Sequence, residues 1–227
     1  MSTNLLVAKD LGLHLSGRWL FRNLTFSVPC SSFVAITGPS GVGKTSLLRL
    51  LSGELKGTEG DLESNLSTDE NISMIFQDLQ LANGASTLAN ALGGCLGRHS
   101  SIRTLLGFPK QEKESALNWL SKFGLAQKTR QWASTLSRGE RQRLAICRSL
   151  ISRPKLLLAD EPVASLDNQW ADETLSILKT NQMEGGGSLV CSLHDEEQVQ
   201  KHADFVLRLH AKEPESWSWE NGTALAQ

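Results

Sequence analysis

A glycine-rich segment constrains the fold more than any other part of this chain. Residues 38–45 read GPSGVGKT; they follow the compact apolar run Phe33–Thr37 and precede a leucine-rich stretch with helical spacing, 46–51. This order is typical of a strand–loop–helix unit, in which backbone N–H groups at the helix N-terminus wrap an anion. The segment therefore predicts an α/β domain that holds phosphate groups between a buried strand and the first turn of a helix.

Every fixed position of the pattern G-x-x-x-x-G-K-[ST] is present in this segment. The glycines allow the backbone to turn its N–H groups inward, and the helix N-terminus adds its positive dipole end. Lys44 is expected to reach the β- and γ-phosphates of a nucleotide, and the Thr45 hydroxyl to ligate Mg²⁺. The predicted nucleotide-binding residues are Gly38, Pro39, Ser40, Gly41, Val42, Gly43, Lys44, Thr45 and Ser46.

Two adjacent carboxylates, Asp160 and Glu161, follow the apolar run 156–159. A buried strand that ends in two acids carries a large desolvation cost unless a cation compensates it. Mg²⁺ and a polarised water would supply that compensation in a chain that also has a phosphate loop. We therefore expect Asp160 on the metal side and Glu161 in position to take a proton from the attacking water.

The apolar pattern indicates a sheet domain with a helical insertion. The first 29 residues alternate apolar and polar positions, which predicts short antiparallel strands. Strand signals disappear between about 79 and 153, where helices are predicted at 111–123 and from Leu136 onward. Further buried strands are predicted at 73–76, 156–159, 189–193 and 205–209, and the polar tail from 213 is expected to form an edge strand or to fray.

These elements predict one α/β domain over residues 1–227. It consists of a nucleotide-binding core with a mostly parallel sheet (1–78 and 154–227), whose N-terminal part is an antiparallel β subdomain. An α-helical subdomain (79–153) is inserted into that core. Strands that alternate with helices favour a parallel sheet covered on both faces.

Charge and cysteine content exclude several classes of protein. With 23 basic and 24 acidic residues the net charge is −1, so the basic excess of a nucleic-acid-binding surface is absent. The cysteines are far apart in sequence and are expected to be reduced core residues of a cytosolic protein. They are Cys30, Cys95, Cys147 and Cys191. The N-terminus lacks the pattern of a signal peptide, and no apolar run approaches the ~20 residues of a membrane-spanning helix.

The segment LSRGERQR at 136–143, taken with the phosphate loop and the acidic strand end, resembles the ATP-binding cassette family. The signature of that family is commonly LSGGQ, followed by a basic helix that bears glutamine. Gln77 matches the Q-loop, ASLD at 164–167 matches the D-loop, and His194 matches the switch histidine. Six motifs in the family's order extend the resemblance over essentially the whole chain.

The resemblance implies an ATPase with a P-loop core that uses ATP and Mg²⁺ and works as a head-to-tail homodimer. ATP would lie between the P-loop of one copy and the signature of the other. The residues expected to act in trans are Ser137, Arg138, Gly139, Glu140 and Asp167. Thr45, Gln77 and Asp160 are the expected metal-side residues. Glu161 and His194 are the expected catalytic residues.

Two departures from the family pattern bear on the site. The signature has Arg138 where glycine is common and Glu140 where glutamine is common. An acid near a γ-phosphate is unfavourable unless it points to its own helix or Arg138 offsets it. The second departure concerns adenine, on which an aromatic residue of the first strands usually stacks in this family. The best register places Leu15 at that position, with His14 or Trp19 as alternatives.

A finer resemblance bears on the transport class. The segments ADEPVASLD (159–167) and SLH (192–194) are similar to the phosphonate-importer branch of the family. That branch implies integral-membrane permease subunits, a periplasmic solute-binding protein and a peripheral position on the cytoplasmic face of the inner membrane. Phosphonates or related phosphorus oxyanions are the substrate class it favours.

Two other functions stay open: a non-transport cassette ATPase with a mechanical or regulatory role, and a nucleotide-binding module with degraded catalysis. The presence of Lys44, Asp160, Glu161 and His194 argues against degraded catalysis. Sequence alone does not separate an importer subunit from a non-transport ATPase, because the two differ in their partners.

Overall fold

The structure is a computed structural model that describes residues 4–67, 71–98 and 107–222, and it contains two β-sheets. The smaller sheet is antiparallel, in the order β2-β1-β4, and consists of β1 (Asn4–Leu15), β2 (Arg18–Pro29) and β4 (Glu59–Ser64). The larger sheet consists of β3 (Phe33–Thr37), β5 (Ile72–Ile75), β6 (Leu156–Asp160), β7 (Ser188–Ser192), β8 (Phe205–Leu209) and β9 (Trp217–Asn221). Its strand order is β5-β6-β7-β3-β8-β9, and it is parallel except for the β8–β9 pair.

Six α-helices lie within the described residues, and three of them lie between β5 and β6 in the chain. They are α1 (Lys44–Leu51), α2 (Thr87–Leu92), α3 (Lys110–Lys122), α4 (Arg138–Ile151), α5 (Asn168–Glu184) and α6 (Glu196–His202). Short 3₁₀ helices span Gly93–Arg98, Ala126–Lys128 and Ala133–Thr135. The two sheets and the helical insertion confirm the predicted fold class. The exact subdomain bounds at 79 and 153 stay a prediction.

Both faces of the larger sheet are buried. Along β3, Phe33 and Ala35 belong to one hydrophobic cluster with the inward faces of α3, α4 and α5, whereas Val34 and Ile36 belong to a second cluster with α1 and the antiparallel sheet. Successive side chains of a strand point to opposite faces, so an unbroken apolar run fills both clusters. This packing fixes the carboxyl ends of β3, β6 and β7 side by side, which is where the polar motifs begin.

The N-terminal strands are longer than predicted. Residues 4–29 form two paired strands of 12 residues each instead of several short ones. Register shifts interrupt the pairing around Asp10 and Asn23, whose φ angles are 49° and 54°. These irregularities interrupt the apolar alternation and make each long strand resemble two short ones. The polar edge strand β4 was not predicted, because its sequence EGDLES has no apolar alternation.

Two smaller expectations are also settled by the fold. The tail forms the edge strand β9, in which the Trp219 ring stacks between Phe26 and Phe205 with centroid separations of 5.7 and 5.5 Å. The expectation that all cysteines lie in the core is wrong for Cys30, which is exposed in the turn after β2; the other three are buried. No helix within the described residues is long and apolar enough to span a bilayer.

Candidate functional site

The glycine-rich loop connects β3 to α1, as predicted. Gly38 has a φ of 142°, and a Cβ there would lie 2.4 Å from the Leu209 carbonyl oxygen, so only glycine fits beside the end of β8. Gly43 is the N-cap of α1 with a φ of 114°. The loop thus brings its backbone to the start of α1, where unpaired N–H groups and the helix dipole favour an anion.

Lys44 is folded back over its own loop. Its Nζ donates to the carbonyl oxygens of Gly38 at 2.7 Å and Pro39 at 3.1 Å, and the residue is 6% exposed. Burial lowers the pKa of Lys44, and the nearby Glu161 and Asp160 carboxylates partly oppose that effect. An incoming phosphate would offer this ammonium a stronger partner than the two neutral carbonyls.

Asp160, at the end of β6, is held by two hydroxyl groups. Thr45 Oγ1 donates to its Oδ2 at 2.7 Å, and Ser192 Oγ donates to its Oδ1 at 2.7 Å. Asp160 is 2% exposed, and a buried carboxylate of this kind requires hydrogen-bond partners. The parallel pairing of β6 with β7 places Ser192 opposite Asp160, so sheet register provides one of the two hydroxyls.

Glu161 lies between two side chains that were assigned to the same site from sequence. Its Oε1 shares a 2.5 Å hydrogen bond with His194 Nε2, and Gln77 Nε2 donates to its Oε2 at 3.4 Å. The backbone N–H of Glu161 donates to Ser192 Oγ at 2.8 Å. Glu161 has a φ of 49°, a left-handed conformation that costs a non-glycine residue about 1–3 kcal/mol. The strained turn directs the carboxylate toward the phosphate loop.

A cavity of about 380 Å³ is lined by several of these groups. Lys44, Thr45, Gln77 and Glu161 line one part of it, and Leu15 lines another part, with its residue surface 42% exposed. The full lining is Leu15, Ser16, Arg18, Leu20, Ser40, Gly41, Gly43, Lys44, Thr45, Ser46, Gln77 and Glu161. The volume lies within the range of about 300–1,000 Å³ that is usual for small-ligand pockets.

The rings of His14 and Trp19 do not line this cavity. They are cross-strand partners whose ring centroids lie 5.2 Å apart, and the Arg22 guanidinium lies 4.4 Å from the Trp19 ring centroid. Of the three candidates for contact with a nucleotide base, the structure places Leu15 in the cavity. A larger cavity of about 530 Å³, between Trp119 and Gln182, has none of the predicted site residues in its lining.

The donor set fits a magnesium nucleotide. Within the described residues, no three His, Cys, Asp or Glu side chains form a cluster that could hold a metal ion. Mg²⁺ in nucleotide sites takes only one or two protein oxygens and completes its shell with phosphates and water. The adjacent Thr45 hydroxyl and Asp160 carboxylate, beside a loop suited to phosphate, meet that requirement.

The signature residues lie outside this cavity. Ser137 is the N-cap of α4 and is exposed, as is Arg138; neither lines the cavity, and the same holds for Gly139, Glu140 and Asp167. Glu140 turns back onto its own helix, since its side chain accepts from the Ser137 N–H in a reciprocal capping box. In this orientation the acid points to its own helix, which is the arrangement expected to make an acid tolerable at this position.

The D-loop lies against the signature of the same chain. A Cβ on Gly139 would be 3.2 Å from the Ser165 carbonyl oxygen, and Asp167 caps α5 by accepting from the Trp170 N–H at 2.9 Å. The Arg143 guanidinium of α4 stacks over the Trp170 ring of α5, 4.4 Å from its centroid. One chain therefore presents two separate groups of motif residues: the cavity group and the signature–D-loop group.

Comparison with known proteins decides the family. A family model described as ABC transporter matches residues 21–164, which is more than half of the chain. The chain belongs to the ABC transporter family. This assignment confirms the resemblance read from the six ordered motifs.

Relatives of this ABC transporter chain include two named import proteins. A phosphonates import ATP-binding protein of Oceanobacillus iheyensis is 33% identical over 223 residues, covering 92% of this chain and 88% of the relative. A phosphite import ATP-binding protein of Stutzerimonas stutzeri is 36% identical over 198 residues, covering 83% and 72%. Among solved structures, an inward-facing putative metal-chelate type ABC transporter matches with a TM-score of 0.82 at 26% identity, covering 98% of this chain and 84% of that one.

Three residues without a predicted role contact predicted site residues. Ser192 holds Asp160, Arg18 Nη2 donates to the Gly41 carbonyl at 3.1 Å, and Lys128 pairs with Glu140. A hydroxyl two residues before His194 was the only available signal for Ser192. Arg18 and Lys128 act through side-chain contacts between segments distant in sequence, for which the sequence gives no spacing rule.

Proposed function

We propose that this chain is the ATP-hydrolysing subunit of an ABC importer and that it binds ATP with Mg²⁺. The observation that carries the proposal is the Glu161 carboxylate, which lies between His194 and Gln77 at a cavity lined by the phosphate loop. A carboxylate in that position can accept a proton from a water that attacks the γ-phosphate.

The neighbouring residues bind the phosphates, hold the metal ion and orient Glu161 in this reaction. Lys44 binds the β- and γ-phosphates, and Thr45 and Asp160 would hold Mg²⁺, which when bound neutralises charge on the phosphate oxygens. His194 orients the Glu161 carboxylate through their shared hydrogen bond and lies where it can also meet the γ-phosphate. Ser192 fixes both acids from the adjacent strand.

We further propose a head-to-tail homodimer on the cytoplasmic face of a membrane, bound to separate permease subunits and supplied by a periplasmic solute-binding protein. The exposed signature, which lies outside the lining of its own cavity, supports a site completed by a second copy. Relatives named as import proteins for phosphonates and phosphite favour an importer of phosphorus oxyanions over a non-transport ATPase. A permease and a binding protein encoded beside this chain would support the importer.

Glu161→Gln tests the catalytic assignment. The variant should bind ATP but lose about 10²–10⁴-fold in turnover, since it lacks the base. It should also accumulate as an ATP-bound dimer in size-exclusion chromatography. Glu173→Gln, on the exposed surface of α5, is the matched control and should keep turnover. Parental turnover in Glu161→Gln would refute the assignment.

A further inference from the structure

Glu140 uses one carboxylate oxygen to hold the start of α4. Its Oε2 accepts from the Ser137 backbone N–H at 2.9 Å, and the Ser137 Oγ accepts from the Glu140 backbone N–H at 3.3 Å. The capping box satisfies two N–H groups at the N-terminus of the helix. The Arg138 and Gly139 N–H groups are the remaining first-turn donors, and they are the ones available to an anion that approaches from outside.

The second carboxylate oxygen of Glu140 is held by Lys128, which is not part of the signature. Lys128 Nζ lies 2.5 Å from Glu140 Oε1. The lysine ends the 3₁₀ helix Ala126–Lys128, where its N–H donates to the Leu125 carbonyl and its own carbonyl accepts from Gln131. The side chains of Glu140 and Lys128 are 18% and 35% exposed, so the pair is partly shielded from water.

The charge of Glu140 persists at neutral pH. The hydrogen bond from Lys128, followed by that from the Ser137 N–H, holds the pKa of Glu140 below its usual value. An ionised acid near a helix N-terminus stabilises the helix but repels a phosphate that approaches the same end. The acid therefore needs a counter-charge and a fixed direction if the signature is to receive a phosphate.

We propose that Lys128 is a positioning residue of the signature, which neutralises Glu140 and keeps its carboxylate turned away from the phosphate that Ser137 meets across the dimer. This inference rests on the proposed function, because it requires a nucleotide shared by two copies. Among the described residues, the side-chain contacts of the Glu140 carboxylate are with Lys128 and the Ser137 N–H, and Arg138 makes none with it. The counter-charge thus comes from the segment before the signature.

The test measures ATP-dependent dimerisation in the Glu161→Gln background. The dimer fraction is determined by size-exclusion chromatography at a series of ATP concentrations. Adding Lys128→Met should raise the ATP concentration for half-maximal dimer by about tenfold, within the range of couplings measured between contacting residues. Adding Glu140→Gln to that variant should return it to within about threefold of the parent, because the unpaired charge is gone. Lys128→Arg should dimerise like the parent.

A matched control and a second readout separate positioning from folding. Lys110→Met breaks the 3.6 Å, exposed Lys110–Glu114 pair on α3 and should leave the titration unchanged. Binding of a fluorescent ATP analogue to the monomer should be the same in all variants, since the P-loop is intact. Loss of that binding in Lys128→Met would indicate a folding defect and overturn the proposal.

The outcomes that overturn the inference are distinct from those that overturn the proposed function. Parental dimerisation of Lys128→Met, or failure of Glu140→Gln to rescue it, refutes the role of Lys128 while the dimer itself stands. If the Glu161→Gln parent forms no dimer with ATP, both the proposed site shared between two copies and the role of Lys128 are refuted.

Discussion

At the residue scale, both predicted acids of the site depend on one hydroxyl group, that of Ser192, for which no role in the site was predicted. Ser192 Oγ contacts both acids, as donor to Asp160 Oδ1 and as acceptor from the Glu161 N–H. Ser192→Ala should destabilise the fold by about 1–3 kcal/mol, since it leaves buried polar groups without a partner. It should also raise the Mg²⁺ concentration needed for half-maximal turnover, because Asp160 is no longer held in place. Urea unfolding and a Mg²⁺ titration of turnover measure the two effects.

The opposite end of the same strand provides the control for that change. Ser188 is also fully buried, and its Oγ donates to the Pro29 carbonyl at 2.7 Å. Ser188→Ala should cost similar stability without changing the Mg²⁺ requirement. Equal Mg²⁺ dependence in the Ser192 and Ser188 variants would mean that Ser192 serves the fold alone.

Leu15 offers a second prediction at the residue scale. It lines the nucleotide cavity with an aliphatic side chain where an aromatic ring would stack on a base. Leu15→Trp should tighten ATP binding about two- to tenfold, the gain of about 0.5–1.5 kcal/mol that ring stacking adds to simple burial. His14→Trp, on the opposite face of β1, should give no gain. Calorimetric titration with ATP measures the affinity of both variants. Equal affinities would mean that the base does not contact residue 15.

At the element scale, Asp167 at the start of α5 has two roles. It caps the helix, and it is predicted to contact the nucleotide of a partner chain. The side chain caps a helix of 17 residues. Asp167→Asn keeps an N-cap of equal quality, so its free energy of unfolding should be unchanged. Asp167→Ala should lower the free energy of unfolding by about 0.5–2 kcal/mol. Turnover should fall in both variants, because both lack the charge presented to the partner's site. Full turnover in Asp167→Asn would show that Asp167 serves only as the N-cap of α5 and would refute its trans role.

The elements that sequence predicted are those with a local signal. Phe33–Thr37 and Leu156–Asp160 have apolar runs long enough to mark buried strands, and the phosphate loop follows one of them at a fixed spacing. β4 was missed because an edge strand with mostly exposed residues has no such run. The Asp160–Ser192 and Glu140–Lys128 pairs were missed for another reason: sheet register and loop packing bring them together, and neither can be read along the chain.

At the scale of the whole molecule, the motif residues of one chain form two separate groups. Lys44 and Glu161 line the cavity, whereas Ser137 and Asp167 lie at the N-termini of α4 and α5, outside its lining. The packing of Gly139 against the Ser165 carbonyl ties the signature to the D-loop of the same chain. In the proposed dimer, the signature and the D-loop would therefore reach the partner as one unit.

Mixing two defective variants tests this arrangement. In the Glu161→Gln background, Lys44→Ala should bind no ATP in its own cavity, and Ser137→Ala should present a defective signature, so neither should form tight dimers alone. A mixed dimer has one complete site, built from the P-loop of the Ser137→Ala copy and the signature of the Lys44→Ala copy. We expect heterodimers that retain one ATP, because the two-fold symmetry of the proposed dimer would bring each cavity to the other chain's signature. Native mass spectrometry of differently tagged chains counts the nucleotides, and a mixture that retains no ATP-bound heterodimer would contradict a site shared between two chains.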